Sequence, residues 1–214
     1  MGVTLVDHMG TDASVVRAAR VSTVGGNDGE GGEQLIAYLI REGHWSPLMH
    51  TAFTVKIECP ISTARQVFKH TVGVVFNESS GRYRELQPVF HVPTAARPLI
   101  QTGKVGAYLF EPGSKDQYDL VVQSRKKSAR FGWDLYQQQL AAGIAREVAR
   151  DVIPLSIFTE FYATFNARSI LHFLDLRLDS AAQAEIQEVA HRLKLILKEA
   201  MPVTFAAWES TKSD

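Results

Sequence analysis

"TEFYATFNARSILHFLDLR" (residues 159–177) changes its hydrophobic pattern halfway along. In the first half Phe161, Ala163 and Phe165 alternate with more polar residues, and this alternation predicts a half-buried strand. The second half, which follows Asn166, has the pattern of a helix. A strand that leads directly into a helix indicates a fold that mixes both kinds of element.

The rest of the chain adds further strands and helices around this stretch. Strands are predicted at 2–8 and at 51–58, where Phe53, Val55 and Ile57 alternate with polar residues. An extended or loop segment is expected from Val72 to Phe76, and turn chemistry in the glycine-rich segment 24–32. Helices are predicted after Asp12 as a candidate N-cap, over 33–43, after Pro60 through 61–70, from about Lys104, from Ser114 to Ala142, over 144–150 and over 181–201. We therefore predict one α+β domain over residues 1–214, with helices packed on a small, mainly antiparallel sheet.

Composition narrows the class of protein. The 214 residues include 23 basic and 23 acidic side chains, so no overall field attracts nucleic acid or an anionic membrane. No apolar run approaches the roughly 20 residues that span a bilayer, and the N-terminal residues lack the plan of a signal peptide. We expect a cytoplasmic protein without nucleic-acid or membrane partners.

The single cysteine excludes an internal disulfide and a cysteine-rich zinc site, and no metal site is predicted. Cys59 follows an alternating segment and directly precedes Pro60, with no histidine within five residues. A nucleophilic role for Cys59 stays open, but a free cysteine is more often buried filler.

Four polar clusters are candidates for chemistry. "NESSGRY" (77–83) combines hydrogen-bonding side chains with Gly81, which permits close backbone approach, and with Arg82, whose fork suits phosphate; an ordinary polar turn is the alternative. "GHWSPLMHTAF" (43–53) presents His50 from a proline-braced loop. The other two clusters are "REVARDVIP" (146–154) and "NARSILHFLDLRLDS" (166–180). Without a metal cage, these clusters favour binding of phosphorylated, ring-bearing ligands with an organic cofactor that carries the chemistry.

The order of these clusters resembles the flavin-dependent thymidylate synthases. The similarity covers "LVDHMGTDASVVRAARVS", "GHWSPLMHTAFTVKI", "ARQVFKHTVGVVFNESSGRY" and "PLSIFTEFYATFNARSILHFLDLRLDSAAQAEI", which is nearly the whole chain. The resemblance implies a homotetramer with shared active sites and bound FAD that NADPH reduces. It also implies methylenetetrahydrofolate as the carbon donor in the conversion of dUMP to dTMP. The sequence departs from the family at Lys69-His70-Thr71, where the family has Arg-His-Arg, and at Met49, where many relatives have a carboxylate.

The resemblance also implies roles for individual residues. Arg177, Glu78 and Ser80 are the candidate catalytic residues, in a reaction that depends on orientation and flavin reduction rather than on a triad. The residues at nucleotide-binding positions are Gln66, Glu78, Ser80, Gly81, Arg82, Arg150 and Arg177. The residues at flavin-binding positions are His50, Lys69, His70, Asn166, Arg168 and His172.

Two alternatives keep the nucleotide pocket. In the first, the enzyme uses a different carbon donor or makes a different product, for example a hydroxymethylated nucleotide. In the second, the protein binds nucleotide without catalysis and serves in regulation or assembly. The product mass separates the first alternative from the synthase, and dUMP binding without flavin or turnover would indicate the second.

Overall fold

A computed structural model describes residues 1–21 and 32–212 of the chain. The contacts divide the chain into two compact units that alternate along the sequence. Unit 1 comprises Met1–Ile57, Phe68–Asn77 and Phe161–Asp214, and unit 2 comprises Glu58–Val67 and Glu78–Glu160. The turn predicted at 24–32 lies outside the described residues except for Gly32. The mixture of helices and small sheets confirms the predicted α+β class, and the extent of a single domain over 1–214 stays a prediction.

The strands form a four-stranded sheet of order β1-β2-β6-β3 and a separate hairpin, β4-β5. The predicted alternation is confirmed in β2 and β6, where Phe53, Val55 and Ile57 and then Phe161, Ala163 and Phe165 are buried. The extended segment expected near Val72–Phe76 lies partly in β3. The strand bounds are β1 Gly2–Met9, β2 Ala52–Pro60, β3 Val74–Glu78, β4 Ile100–Lys104, β5 Ala107–Glu111 and β6 Phe158–Phe165.

The helix predicted from about Lys104 is wrong, because this segment is the β4-β5 hairpin. The two strands pair antiparallel, and Lys104 lies opposite Ala107 across a two-residue turn. Gly106 in that turn has a φ of +84°, a backbone conformation that ends a helix and that glycine adopts without a steric penalty.

The other predicted helices are present, with some changed boundaries. The helix expected over 61–70 ends at Val67, so Lys69 and His70 lie beyond it, and Pro60 is the last residue of β2. A helix after Pro202, α8, was not predicted. The bounds are α1 Asp12–Arg20, α2 Gly32–Arg41, α3 Ile61–Val67, α4 Lys115–Ala141, α5 Arg146–Ala149, α6 Ala167–Arg177, α7 Ala184–Ala200 and α8 Pro202–Ser210, with 3₁₀ turns at Ser46–His50 and Arg150–Val152.

The sequence suggested Asp12 as the N-cap of α1, but Asp12 is the first residue of the helix and not its cap. Thr11 caps this helix in a capping box with Ser14. The Asp12 carboxylate instead accepts hydrogen bonds from the backbone N–H groups of Val203 and Thr204, at 3.0 and 2.8 Å, and from the Thr204 hydroxyl at 2.6 Å. An acidic side chain at the start of a helix satisfies backbone donors and complements the helix dipole, so Asp12 stabilises α8.

The core of unit 1 contains an aromatic cluster next to the Lys69-His70 segment. Phe68 and Phe161 have ring centroids 4.8 Å apart, and Phe165 and Phe173 have theirs 6.0 Å apart. The His70 ring packs on Phe173 at 4.6 Å. Aromatic pairs of this kind add to the free energy gained by burial, so the cluster anchors the segment that follows α3.

In unit 2, α4 supports both segments that matter for the site. Gly132 lies buried in α4, and a Cβ there would come within 2.8 Å of the Val152 carbonyl oxygen. Because glycine has no side chain, α4 can approach the Arg150–Val152 turn closely. One turn further along α4, the buried Tyr136 hydroxyl accepts a hydrogen bond from the Leu86 backbone N–H at 3.2 Å.

Candidate active site

Unit 2 contains an open cavity of about 750 Å³. Its wall includes two arginines, Arg84 and Arg150, together with Ser80 and Gly81. The carboxylates on the wall are Glu58, Glu78, Glu85, Asp151 and Glu160. A cavity of this size suits a small-molecule ligand, and its charged groups can both donate and accept hydrogen bonds.

The loop after β3 presents backbone and hydroxyl groups to this cavity. The Ser80 carbonyl accepts from the Tyr83 N–H at 3.1 Å, and the Ser80 hydroxyl oxygen accepts from the Arg82 N–H at 3.3 Å. A Cβ on the buried Gly81 would lie 3.0 Å from Leu86 Cδ2 and 3.5 Å from Arg150 Cδ. Glycine therefore lets the loop pack directly against the stem of Arg150.

Arg150 begins the 3₁₀ turn that α4 supports. Its carbonyl accepts from the Ile153 N–H at 3.1 Å, which closes the turn. The side chain is half-buried and lies on the cavity wall. The sequence-predicted residues Glu78, Ser80, Gly81 and Arg150 therefore come together around one cavity, although 69 positions separate Gly81 from Arg150.

Glu78, at the end of β3, is held by a residue that the sequence analysis missed. The Thr159 hydroxyl donates to Glu78 Oε1 at 2.6 Å, and both residues line the cavity. The Ser79 backbone N–H donates to the Glu160 carbonyl at 3.0 Å, and Arg84 Nη2 donates to Glu160 Oε1 at 2.6 Å. No local motif marks Thr159, Glu160 or Arg84, because their roles come from the pairing of distant segments.

Two of the predicted nucleotide-binding residues in unit 2 are not among the described residues that line the cavity. The Arg82 Nε–H donates to Glu147 Oε2 at 2.7 Å, and both side chains are about half exposed. Gln66 is half-buried on α3 and has an interaction of its own. Their roles in nucleotide binding stay predictions.

Unit 1 contains the remaining nucleotide-binding candidate, Arg177, next to His70. The Arg177 Nε–H donates to His70 Nε2 at 2.9 Å, which requires that His70 Nε2 carries no proton. Burial, helped by the charge of Arg177 and by His172, lowers the pKa of His70 to about 4. Near neutral pH His70 is therefore an uncharged acceptor that orients the guanidinium of Arg177.

Asn166 has a structural role at the start of α6. Its Oδ1 accepts from the Ser169 N–H at 2.9 Å, which makes it the N-cap of the helix. The Ser169 hydroxyl donates to the Val72 carbonyl at 2.8 Å. Gly73, with a φ of +67°, passes so close that a Cβ there would lie 2.5 Å from Asn166 Nδ2 and 2.6 Å from Ser169 Oγ.

The other flavin-binding candidates all lie in unit 1 and carry N–H donors. Lys69, His172 and His50 are exposed, and Arg168 is half-buried on the first turn of α6. The residue before Arg168, Ala167, donates its N–H to the Thr51 hydroxyl at 2.9 Å, and Thr51 directly follows His50. This contact fixes the end of the Ser46–His50 turn beside the start of α6. Two of the four donors, Lys69 and Arg168, are cationic.

Cys59 is buried in β2, and burial raises the pKa of its thiol to about 12. A thiol with this pKa is not a nucleophile near neutral pH, which favours buried filler over the catalytic alternative. Within residues 1–21 and 32–212, no group of three or more His, Cys, Asp or Glu side chains is arranged to hold a metal ion. Over the same residues, no helix is both long and apolar enough to cross a membrane.

Comparison with known proteins gives consistent results over nearly the whole chain. Residues 4–203 match the family described as "Thymidylate synthase complementing protein". The chain is 43% identical to the flavin-dependent thymidylate synthase of Streptomyces avermitilis, over 97% of this chain and 90% of the relative. It is 41% identical to the enzyme of the same name from Thermotoga neapolitana, over 96% of this chain and 89% of the relative. Among solved structures, the UMP/dUMP methylase PolB from Streptomyces cacaoi bound with 5-Br UMP has a TM-score of 0.90 and 42% identity, over 98% of this chain and 93% of that one.

Proposed function

We propose that the chain, which belongs to the thymidylate synthase complementing protein family, reductively methylates dUMP to dTMP. The observation that supports this most directly is the cavity of unit 2. There Glu78, at the end of β3, and Ser80 and Gly81, from the loop after it, meet Arg150 from a distant turn. These are the residue types and positions that the family resemblance assigns to the nucleotide.

Each of these groups has a chemical reason to contact dUMP. The Arg150 guanidinium can bind the phosphate through two parallel N–H donors, a geometry that lysine cannot reproduce. Glu78 accepts hydrogen bonds from N–H or O–H groups of the nucleotide, and the Ser80 hydroxyl can donate or accept. The absence of a side chain at Gly81 lets the loop pack against Leu86 and against the stem of Arg150, which holds the guanidinium beside the loop. Together these contacts orient the pyrimidine, which is the main contribution of the protein to this reaction.

The donors of unit 1 fit FAD. The flavin ring offers carbonyl oxygens and the diphosphate is anionic, so both need N–H donors, and Lys69, Arg168, His172 and His50 supply them. When bound, FAD reduced by NADPH supplies the hydride, and methylenetetrahydrofolate supplies the carbon. The net reaction converts dUMP, methylenetetrahydrofolate, NADPH and a proton into dTMP, tetrahydrofolate and NADP⁺.

Arg177 is the third candidate catalytic residue, with Glu78 and Ser80. The uncharged His70 accepts a hydrogen bond from the Arg177 Nε–H and so fixes the orientation of the guanidinium. We assign Arg177 to the pyrimidine carbonyl, where a fixed cation stabilises negative charge that develops on the ring.

The experiment that tests this function combines a spectrum with a product assay. Purified protein is titrated with FAD and then dUMP while the visible absorption is followed, and the complete mixture is then assayed for dTMP by mass spectrometry. We expect a bound-flavin spectrum that dUMP perturbs, and dTMP as the product. A product heavier than dTMP by one oxygen atom would indicate hydroxymethylation, and dUMP binding without flavin or turnover would indicate the non-catalytic alternative.

Arg150→Gln sharpens this test, because it should raise the KM for dUMP at least about tenfold through the lost charge-assisted bonds to phosphate. Arg146→Gln is the matched control. Arg146 is an exposed residue one helical turn earlier, and it is not among the described residues of the cavity wall. Equal effects of the two substitutions would contradict the assignment of Arg150.

A second candidate is methylation of UMP, and the similarity to PolB favours it. That structure is as similar to this chain as the thymidylate synthases are, at 42% against 43% identity. A competition assay with equimolar UMP and dUMP separates the two functions, since kcat/KM for each substrate sets the ratio of products.

The last part of the proposal concerns the oligomeric state and the cellular location of the enzyme. We assign a cytoplasmic homotetramer in which residues 1–214 act as one domain, on the support of the family resemblance. Size-exclusion chromatography with light scattering measures the assembly directly, and a monomer that turns over would contradict it.

A further inference from the structure

The Glu78 carboxylate is the exposed acceptor that the proposed nucleotide site depends on, and an exposed glutamate side chain has several rotamers in water. In this structure one of its oxygens is already occupied. The Thr159 hydroxyl donates to Glu78 Oε1 at 2.6 Å, a short bond of the kind that ionised acceptors form. Within residues 1–21 and 32–212, no hydrogen bond or ion pair is formed by the other oxygen, Oε2, and Glu78 lines the cavity.

The backbone around this contact is fixed independently of the two side chains. The Ser79 N–H donates to the Glu160 carbonyl at 3.0 Å, one residue beyond the Glu78–Thr159 pair on each segment. The end of β3 and the start of β6 therefore keep a constant separation. Threonine is branched at Cβ and has few χ1 rotamers, so its hydroxyl is a more rigid donor than a longer side chain would be.

We propose that Thr159 is a positioning residue of the active site, which acts through Glu78. Its hydroxyl selects the rotamer in which the carboxylate faces the cavity with Oε2 free, so that the nucleotide meets an acceptor already in place. Preorganisation of this kind removes an ordering cost from ligand binding. The inference rests on the proposed function, because it assumes that dUMP occupies this cavity.

Thr159→Val tests the idea, because valine keeps the shape of threonine and removes the donor. Losing a hydrogen bond to the exposed Glu78 carboxylate should weaken dUMP binding about tenfold and raise the KM by a similar factor. Thr159→Ser keeps the donor and should restore both values to within about threefold of the wild type. A purely packing role would instead make serine the worse replacement, since it lacks the methyl group.

Thr164→Val is the matched control on the same strand. The Thr164 hydroxyl also forms one side-chain hydrogen bond, to the Thr54 hydroxyl at 3.0 Å, and Thr164 does not line the described cavity. We expect dUMP binding within about twofold of the wild type. Circular dichroism melts of all variants report whether the fold is retained.

A double-mutant cycle with Glu78→Ala shows whether Thr159 acts through the carboxylate. In the Glu78→Ala background, Thr159→Val should change the Kd for dUMP, measured by calorimetry, by less than about twofold. An equal loss in both backgrounds would overturn the proposal, as would a Thr159→Val enzyme with wild-type KM. If the wild-type protein neither bound dUMP nor formed dTMP, the proposed function would fail and the inference with it. Active wild-type enzyme with an insensitive Thr159 would refute the inference alone.

Discussion

Replacing Gly73 by alanine should destabilise the protein by about 3–4 kcal/mol and weaken flavin binding. Gly73 has a φ of +67°, in the left-handed region where an L-residue loses about 1–2 kcal/mol. The added Cβ would also come within 2.5 Å of Asn166 Nδ2 and 2.6 Å of Ser169 Oγ, far inside normal contact.

The neighbours can move away only by giving up their hydrogen bonds. A shift of Asn166 disrupts the N-cap of α6, at about 1 kcal/mol. A shift of Ser169 breaks its bond to the Val72 carbonyl, at a further ~1 kcal/mol. Because Asn166 and the nearby Arg168 are flavin-binding candidates, a displaced α6 start should also raise the Kd for FAD.

Gly106→Ala is the matched control. Gly106 has a φ of +84° at the tip of the β4-β5 hairpin, with no atom within 4 Å of an added Cβ. This substitution should lower the free energy of unfolding only by the cost of the left-handed backbone conformation, about 1–2 kcal/mol. Urea denaturation followed by circular dichroism gives both free energies of unfolding, and FAD titration gives the binding constants. Equal destabilisation by the two substitutions would refute the argument, since only Gly73 has close neighbours.

Two further predictions come from the pKa shifts. The folded pKa of His70, about 4, lies below its ordinary value of 6.5, so between these values the unfolded chain binds the proton more readily. The free energy of unfolding should therefore fall as the pH drops from about 6.5 to about 4. His70→Gln should flatten this part of the curve in urea denaturation series, and an unchanged slope would exclude His70 as its source. The buried Cys59 thiol, with its pKa raised to about 12, should resist thiol reagents near neutral pH in the folded protein. Cys59→Ala should keep kcat within about twofold, whereas an inactive variant would revive the cysteine mechanism.

Hydrophobic periodicity predicts much of this fold. β2, β6 and α7 have strong, uninterrupted patterns, and the structure confirms each of them. The helix predicted near Lys104 is wrong because every residue of β5 is exposed, so no buried face imposes a period on that segment. α8 escapes prediction for a related reason: its start depends on Asp12, which lies more than 190 positions earlier in the chain.

The site residues also divide into those that the sequence marks and those that it does not. The polar motif around Ser80 and Gly81 stands out in the sequence, and the family resemblance alone is enough to connect it with Arg150. Thr159 and Arg84 carry no local signal, since their positions on the cavity wall follow from the register between the β3 loop and β6. Contacts set by strand register cannot be inferred from a single sequence.

The hydrogen bonds between Asp12 and the start of α8 have a consequence for the order of folding. They close a loop of about 190 residues, and the terminal amino group of Met1 forms a second long-range bond, to Glu188 at 2.7 Å. Such contacts raise the contact order of unit 1, which slows folding because the entropy of closing the loop is lost before the contacts form. During synthesis from the N-terminus, β1 and α1 emerge first and β2, the sheet neighbour of β1, follows early, but Glu188, Val203 and Thr204 emerge only when almost the whole chain has been made. Unit 2, which draws on only two segments between Glu58 and Glu160, has its complete sequence available about fifty residues earlier.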